Sequence, residues 1–247
     1  MPRNVVSSRV ASANRAAVST GRSIPFDFAN SLTFSASGNS YGSAVAPADI
    51  KVNARSIEWW TLFDIVPTGT SPIFGLGVAH YYMGFNLNSL MHSYRDAAEV
   101  QRTVFSNTTI FRPSVWEHFA ITLETTGMDV VMTFYRNGTQ IGTTTRTDGH
   151  SAAYGANLYL ATFAPASLNL NGKLANFGFY NRALTAAEVL DRSRRMPVTS
   201  GNLHRWLATE GSGASLGDSI GSTTFTLTNS PTWSSVNVPS KARVAVS

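Results

Sequence analysis

At 247 residues the chain is long enough for one large domain with a full core, so its length does not call for two. Only 13% of its residues are charged against 43% hydrophobic, with abundant Thr, Ser, Asn and Gly, which argues against a helical protein and for many short strands joined by turns. The absence of cysteine excludes disulfides and leaves stability to packing, and no apolar run approaches the ~18 residues of a membrane span.

Net charge is +5 with a pI near 9.7, and the cations are unevenly typed: sixteen are Arg, while Lys occurs only at Lys51, Lys173 and Lys241. Arg3, Arg9, Arg15 and Arg22 fall in a first stretch, MPRNVVSSRVASANRAAVSTGR, that contains no acid. This arm lacks the apolar h-region of a signal peptide, so export is not expected from it. Its Arg- and Ser-rich composition also matches a mitochondrial-type presequence or a solvated tail. Arg favours bidentate contacts at interfaces, so the expected holder of the arm is a neighbouring protein subunit, in a homo-oligomer or larger assembly. Nucleic acid is not expected, because no aromatics interleave the cations for base stacking.

Beyond the arm, alternation and turn residues predict strands near 31–37, 54–66, 72–88, 99–106, 116–125, 129–136, 139–147, 156–164, 172–180, 203–208 and 223–229. Asn137-Gly138 is a type I′ hairpin pair, both residues tolerating positive φ, and Pro67 to Thr70 and Thr125 to Gly127 also read as turns. After Tyr180 the period changes. Thr185 followed by Glu188 is a capping box, which predicts a short helix from Ala186 to about Arg195. Arg192, Arg194 and Arg195 lie where cations favour a helix C-terminus, and Pro197 ends it. The stretch 197–202 reads as a linker back to the sheets. The expected organisation is a basic arm over 1–22, one domain over 23–238 and a tail over 239–247, with no tandem repeat.

The strand-to-helix passage FGFYNRALTAAEV resembles the closing motif of laminin-G-like, concanavalin A-like jelly-roll domains. Further segments match in that family's order: SLTFSASG from Ser31 resembles its opening strand, WEHFAITL from Trp116 its W-x-H strand, and FYRNGTQIG from Phe134 its Y-x-N-G hairpin. WLATEGSGASLGDSIG from Trp206 resembles the W-x-x-x-EGSG-x-x-x-x-D-S-x-G segment that usually precedes such a domain. The resemblance implies an all-β fold, a two-sheet antiparallel jelly-roll sandwich with one short helix. For His118, at the W-x-H position, it implies packing and strand hydrogen bonding.

Many relatives hold Ca²⁺ through Asp and Asn oxygens near the opening strand. The matching positions here are Asn39, where relatives often carry Asp, and Asp218, with Glu210 near it. Ile220 and Ser222 replace Asn-rich sequence, so the expectation is no cofactor. A structural calcium at Asn39, Glu210 and Asp218 is the alternative, and the competing role for Asp218 is to cap an Asx turn.

The fold also houses glycosidases, which need two carboxylates about 5–5.5 Å apart for retention, typically from an E-x-D-x-E strand. No such triplet occurs. Glu58 and Asp64, in SIEWWTLFDIV, share a face but stand about 20 Å apart along a strand, so both are expected as surface or strand-end carboxylates. Asp96 and Glu99 read as solvated loop acids. The five histidines are scattered and no G-x-S-x-G elbow occurs, so no catalytic residue is assigned.

Aromatic and Arg side chains on sheet faces are the better candidates for binding glycan or a partner. Trp59 and Trp60 are adjacent, so they point to opposite faces, one into the core and the other toward a second layer or a sugar ring. His80, Tyr81 and Tyr82, with His92, Tyr94 and Arg95, line one groove if their strands are neighbours. Three functions stay open. The preferred reading is a non-enzymatic structural or attachment protein of a virus particle, foremost a bacteriophage capsid decoration or appendage. The second is a secreted or displayed glycan-binding module, and the third a glycosidase or lyase.

Overall fold

The computed structural model describes residues 30–53, 55–77, 81–106, 112–151, 155–165 and 168–236. The arm with Arg3, Arg9, Arg15 and Arg22, the tail over 239–247, and His80 lie outside the described residues.

Two antiparallel sheets of eight strands pack face to face. One sheet runs β10 (Thr139–Arg146), β9 (Asp129–Arg136), β8 (Glu117–Thr126), β3 (Ser56–Leu62), β12 (Gly172–Tyr180), β1 (Asn30–Phe34), β16 (Thr232–Ser235). Beside β1, β13 (Asn202–Trp206) pairs the end of β12. The other sheet runs β14 (Ser215–Leu216), β15 (Phe225–Thr228), β2 (Tyr41–Val45), β11 (Asn157–Leu160), β4 (Thr70–Leu76), β5 (Tyr81–Asn86), β6 (Ser89–Arg95), β7 (Gln101–Phe105). Two helices complete the fold, α1 (Ala48–Asn53) and α2 (Ala186–Ser193). Only the first sheet is covered by α2, which packs on its outer face; the other is called the open sheet below. This is the expected jelly-roll sandwich. Neither helix is long and apolar enough to cross a membrane.

Strand alternation builds the core. Trp59, Phe119, Phe134, Phe177, Phe179 and Trp206 from the covered sheet meet Phe74, Phe85 and Phe225 from the open one, and Trp59, Trp206 and Phe85 are fully buried. Each such ring contributes about 1.5–3 kcal/mol by leaving water. Their contacts are largely edge-on, as ring quadrupoles favour: Phe74 lies 5.1 Å from Phe177 at 60° and Phe85 lies 4.9 Å from Phe119 at 74°.

Within β12 the inward residues change parity, from Leu174 to Phe177 and Phe179. A bulge explains it. Between Ala175 and Gly178 the pairing with β3 slips by one residue, and Asn176 takes a positive φ of 38°. The hairpin at Asn137-Gly138 has φ of 50° and 81°, as a type I′ turn requires. On α2 both halves of the capping box form, and the helix ends at Ser193 with Arg194 as its C-cap.

The strand expected over 72–88 is two strands, β4 and the start of the β5–β6 hairpin, whose turn lies at Leu87-Asn88. Five elements were not expected: β2, α1, β6, the two-residue β14, and β16.

Candidate functional site

The outer faces of the two sheets are chemically opposite. On the covered sheet, Glu58 of β3 is wholly buried beneath α2. Its Oε1 accepts from Arg192 Nε at 2.8 Å, Arg205 Nη2 at 2.7 Å and the Tyr180 hydroxyl at 3.1 Å, while its Oε2 lies 2.6 Å from His118 Nε2. Burial alone would raise the Glu58 carboxyl, but the two guanidinium groups and the His118 hydrogen bond outweigh it and hold the group well below the usual range. Burial and the neighbouring carboxylate push the Tyr180 phenol up. The Asn176 bulge serves this cluster, since its Oδ1 accepts from Arg205 Nη1 at 2.6 Å. Gly178 also serves it: a Cβ there would stand 3.0 Å from Arg205 Nη2.

Glu58 is therefore not a surface or strand-end carboxylate, as expected from the sequence, but the anchor that ties α2 and β13 to the sheet. Asp64 is exposed. Asp96 is not a solvated loop acid either. It is 1% exposed, and its Oδ1 takes the amide protons of Ala98 and Val100, both at 2.9 Å. Arg102 Nε then bridges Asp96 at 2.7 Å to Asp148 at 3.3 Å. For Asp148, the hydrogen bond from Arg146 holds the carboxyl down; for Asp96, burial would raise it, but the Val100 amide and Arg102 outweigh that. This pair of carboxylates is close enough to suggest a glycosidase, yet both are held ionised around a shared cation. Neither is placed to act as a general acid.

The aromatic candidates divide. Because β5 and β6 are neighbours, Tyr81, His92 and Tyr94 all point between the sheets, with Tyr81 5.0 Å and Tyr94 5.5 Å from His92. Burial first, then the nearby His150, holds the His92 imidazole well below its ordinary value, and among the described residues neither ring nitrogen has a hydrogen-bond partner. Trp59 is 0% exposed in the core, and Trp60, at 4%, lies under the second layer, 5.4 Å from the Arg195 guanidinium. Rings so buried present no plate to a sugar, which corrects the expectation for these five side chains. Tyr82 and Arg95 do face outward on the open sheet.

The three oxygens proposed for calcium serve other partners. Asn39 Oδ1 accepts from Asn169 at 3.3 Å and Glu210 Oε1 from the Gly217 amide at 2.7 Å. Asp218 Oδ1 takes the amides of Arg205, Ile220 and Gly221, its Oδ2 meets His204, and the Asx-turn role thus accounts for it. Among the described residues no group of three or more His, Cys, Asp or Glu could hold a metal ion.

What remains is the open face itself. Inward Leu158 and Leu160 of β11, and inward Phe225 and Leu227 of β15, force Asn157, Tyr159, Thr224 and Thr226 outward. Register then sets Thr226 beside Ser43, and Ser43 beside Tyr159. With Val45 and Pro165 these residues line a cleft of about 430 Å³, within the usual size of a small-ligand site. None of its lining residues is charged. The cleft offers hydroxyls, an amide and short apolar surface, which suit an uncharged polyhydroxylated ligand. The sequence reading passed over these residues, although the strict alternation in NLYL and TFTLT was the signal that turned them outward.

The sequence profile described as the concanavalin A-like lectin/glucanases superfamily matches residues 36–190. No curated protein matches significantly. Among solved structures, a candidate carbohydrate binding protein from Bacteroides ovatus superposes with a TM-score of 0.67 at 16% identity, covering 87% of this chain and 62% of that one. The chain thus spans about three fifths of that protein's length. The CBM40 of the Ruminococcus gnavus IT-sialidase, bound to α2,3 sialyllactose, gives 0.53 at 12% identity over 66% of this chain and 96% of its own. A heptameric SAP-like pentraxin from Limulus polyphemus gives 0.51 at 15% identity over 71% and 87%.

Proposed function

This chain belongs to the concanavalin A-like lectin/glucanases superfamily, and we propose that it is a non-catalytic domain that binds an uncharged saccharide in the cleft on its open sheet. The observation that carries this reading is the uncharged, hydroxyl-lined cleft on the sheet face that, among the described residues, no helix covers. The carbohydrate-binding proteins among its structural neighbours support it. Its carboxylates add support, since Glu58 and Asp96 are buried in ion pairs and hold no position for acid catalysis. The test is a glycan array followed by titration calorimetry on the sugars retained. Binding without product release is expected. Silence across the array overturns the reading, and reproducible hydrolysis that is lost in a folded Asp64→Asn variant makes the protein an enzyme.

The finer reading, attachment on a virus particle with bacteriophage foremost, extends this one and rests on the acid-free arm that carries Arg3, Arg9, Arg15 and Arg22. Deleting residues 1–22 should leave the domain folded and remove it from the parent assembly. Replacing the four arginines by Gln should weaken assembly in a salt-dependent way, since exposed charge contacts are screened over ~8 Å at physiological ionic strength. Assembly unchanged by the deletion favours a free-standing extracellular module.

A further inference from the structure

The transverse row of outward residues on the open sheet runs Thr226, Ser43, Tyr159, Gly75, Tyr82, Ser93, from β15 across to β6. An unobstructed row of this kind would let a long polymer lie across the whole face. It is obstructed at Gly75. A Cβ built on that glycine would stand 2.5 Å from the Phe163 Cα, so the chain after β11 is seated directly on the sheet at this point, and only glycine admits it. The Phe163 ring continues the obstruction by resting on Tyr82, with centroids 5.0 Å apart.

This barrier is firmly held. Ala161 turns the chain out of β11 with a φ of 64° while its amide still bonds Ile73 O at 2.9 Å. Thr162 is buried, and its hydroxyl donates toward Ala164 O at 2.7 Å and Leu168 O at 3.0 Å. Pro165, from the same segment, forms the wall of the cleft. On the opposite side the sheet ends in the two-residue β14, whose exposed Ser215 pairs with Thr226 and raises no wall. From Tyr159 to Thr226 the cleft is two strand spacings wide, about 10 Å.

Resting on the proposed saccharide site, we infer that the cleft is closed at the Phe163 end and open at the β14 end, so that it takes the terminus of an uncharged glycan and not an internal stretch. Two or three sugar units fill it. Further units leave over β14 into solvent and add nothing to affinity.

The test is calorimetry on the full chain with malto-, cello-, xylo- and arabino-oligosaccharides of one to six units, beside the corresponding polymers before and after limited cleavage by an endo-acting hydrolase, which multiplies chain ends at constant mass. For the series that binds, affinity should rise up to the trisaccharide and then change by less than about twofold, and polymer binding should scale with the number of chain ends. Affinity that climbs through the hexasaccharide, or polymer binding in excess of its ends, overturns the closed-end inference while leaving the saccharide site standing. No binding to any series or polymer removes both. Two variants tie the result to this cleft. Thr226→Trp, at an exposed position, should abolish binding at every length, and unchanged binding would place the sugar elsewhere and end the inference. Thr162→Ala, which releases the barrier, should let the hexasaccharide gain at least about threefold over the trisaccharide; equal affinities for a variant shown to be folded would count against the barrier.

Discussion

The two outer faces differ in where their polar groups find partners. On the covered sheet Glu58, His118, Tyr180, Arg192 and Arg205 bond one another, and water is excluded by α2. On the open sheet Ser43, Asn157 and Thr226 line a cleft, where the Asn157 amide donates to the neighbouring Tyr159 hydroxyl at 3.2 Å and no charged partner stands beside them. Residue types usually read as catalytic are thus engaged in holding the fold, and residue types with no reactive chemistry form the cleft on the open face. Ionisable groups are informative about function only once their partners are known, and here the partners of Glu58 are other parts of the same chain.

The largest effect should come from the covered face. Glu58→Gln leaves two guanidinium groups buried without their carboxylate, and loss of one member of such a cluster costs about 3–5 kcal/mol. Urea denaturation of the variant should show a large fall in midpoint with little change in slope. A loss below about 1 kcal/mol would mean that the cluster contributes little, and that α2 is held by Leu184 and Val189 packing on Tyr180 and Tyr135.

A second break applies where the covered sheet's hairpin touches α2. Gly138 has a φ of 81°, and a Cβ there would meet Leu190 Cδ1 and Ser193 Oγ, both at 2.7 Å. Gly138→Val combines a backbone conformation that β-branched residues resist with a collision against the helix, so a loss of about 2–3 kcal/mol is expected. Thermal melts of Gly138→Asn separate the two causes, since Asn tolerates the φ and keeps only the collision. Equal melting of both variants would put the whole cost on the helix contact.

Between the faces, acid should act through the buried imidazoles. His92 is held well below 6.5 by burial and His150 is lowered to about 4, also by burial, so both stay neutral in the fold while the unfolded chain takes up protons. Their contribution is full above pH 6.5 and is lost as pH falls, by about 1.4 kcal/mol per pH unit for each, until His150 itself titrates near 4. His204 has the opposite sign. Burial would lower it, but Asp218 and Asp49 outweigh that and raise it, so its contribution is complete below 6.5 and is lost as pH rises through its raised value. Between pH 6.5 and about 5 the fall therefore belongs to His92 and His150, and at lower pH the carboxylates held below their ordinary values, Glu58, Asp96 and Asp148, add to it. His92→Phe removes no hydrogen bond and should make stability between pH 6.5 and about 5 fall about half as steeply; an unchanged slope would show that His92 is already protonated in the native state.

How much of this was legible in the sequence follows from distance along the chain. The Asn137-Gly138 turn and the Thr185 and Glu188 capping box are local and took their expected forms, as did most of the alternating strands, the one expected over 72–88 being two. The bulge at Asn176 left a trace in the parity change between Leu174 and Phe177, although nothing local says that a bulge would aim Asn176 at Arg205. The Glu58 cluster left no trace, because Arg192 and Arg205 lie 134 and 147 residues away and come together only through sheet order. His92, Tyr94 and Tyr82 were expected to share a groove only on the condition that their strands were neighbours, and β5 and β6 do pair. Parity then divided them between the interior and the open face. The cleft was hardest to see, since its Ser, Thr and Asn residues come from three strands and are the same types that fill turns throughout the chain.

The smallest stability effect should come from the open face, and it gives the sharpest contrast. Thr226 and Asn157 are exposed, pack against no core ring, and sit where substitutions ordinarily change stability by less than about 0.5 kcal/mol. Thr226→Ala and Asn157→Ala should therefore melt as the parent does, while each weakens saccharide binding by about three- to tenfold through loss of one hydrogen bond, about 0.5–1.5 kcal/mol. The two residues lie on β15 and β11, separated by β2, so their effects should add if one ligand spans the cleft through independent contacts. A double variant that binds no worse than the weaker single would mean that the ligand touches only one side. Variants that melt early would mean that these strands depend on their outward side chains, and the separation between a face that holds the fold and a face that serves a ligand would not stand.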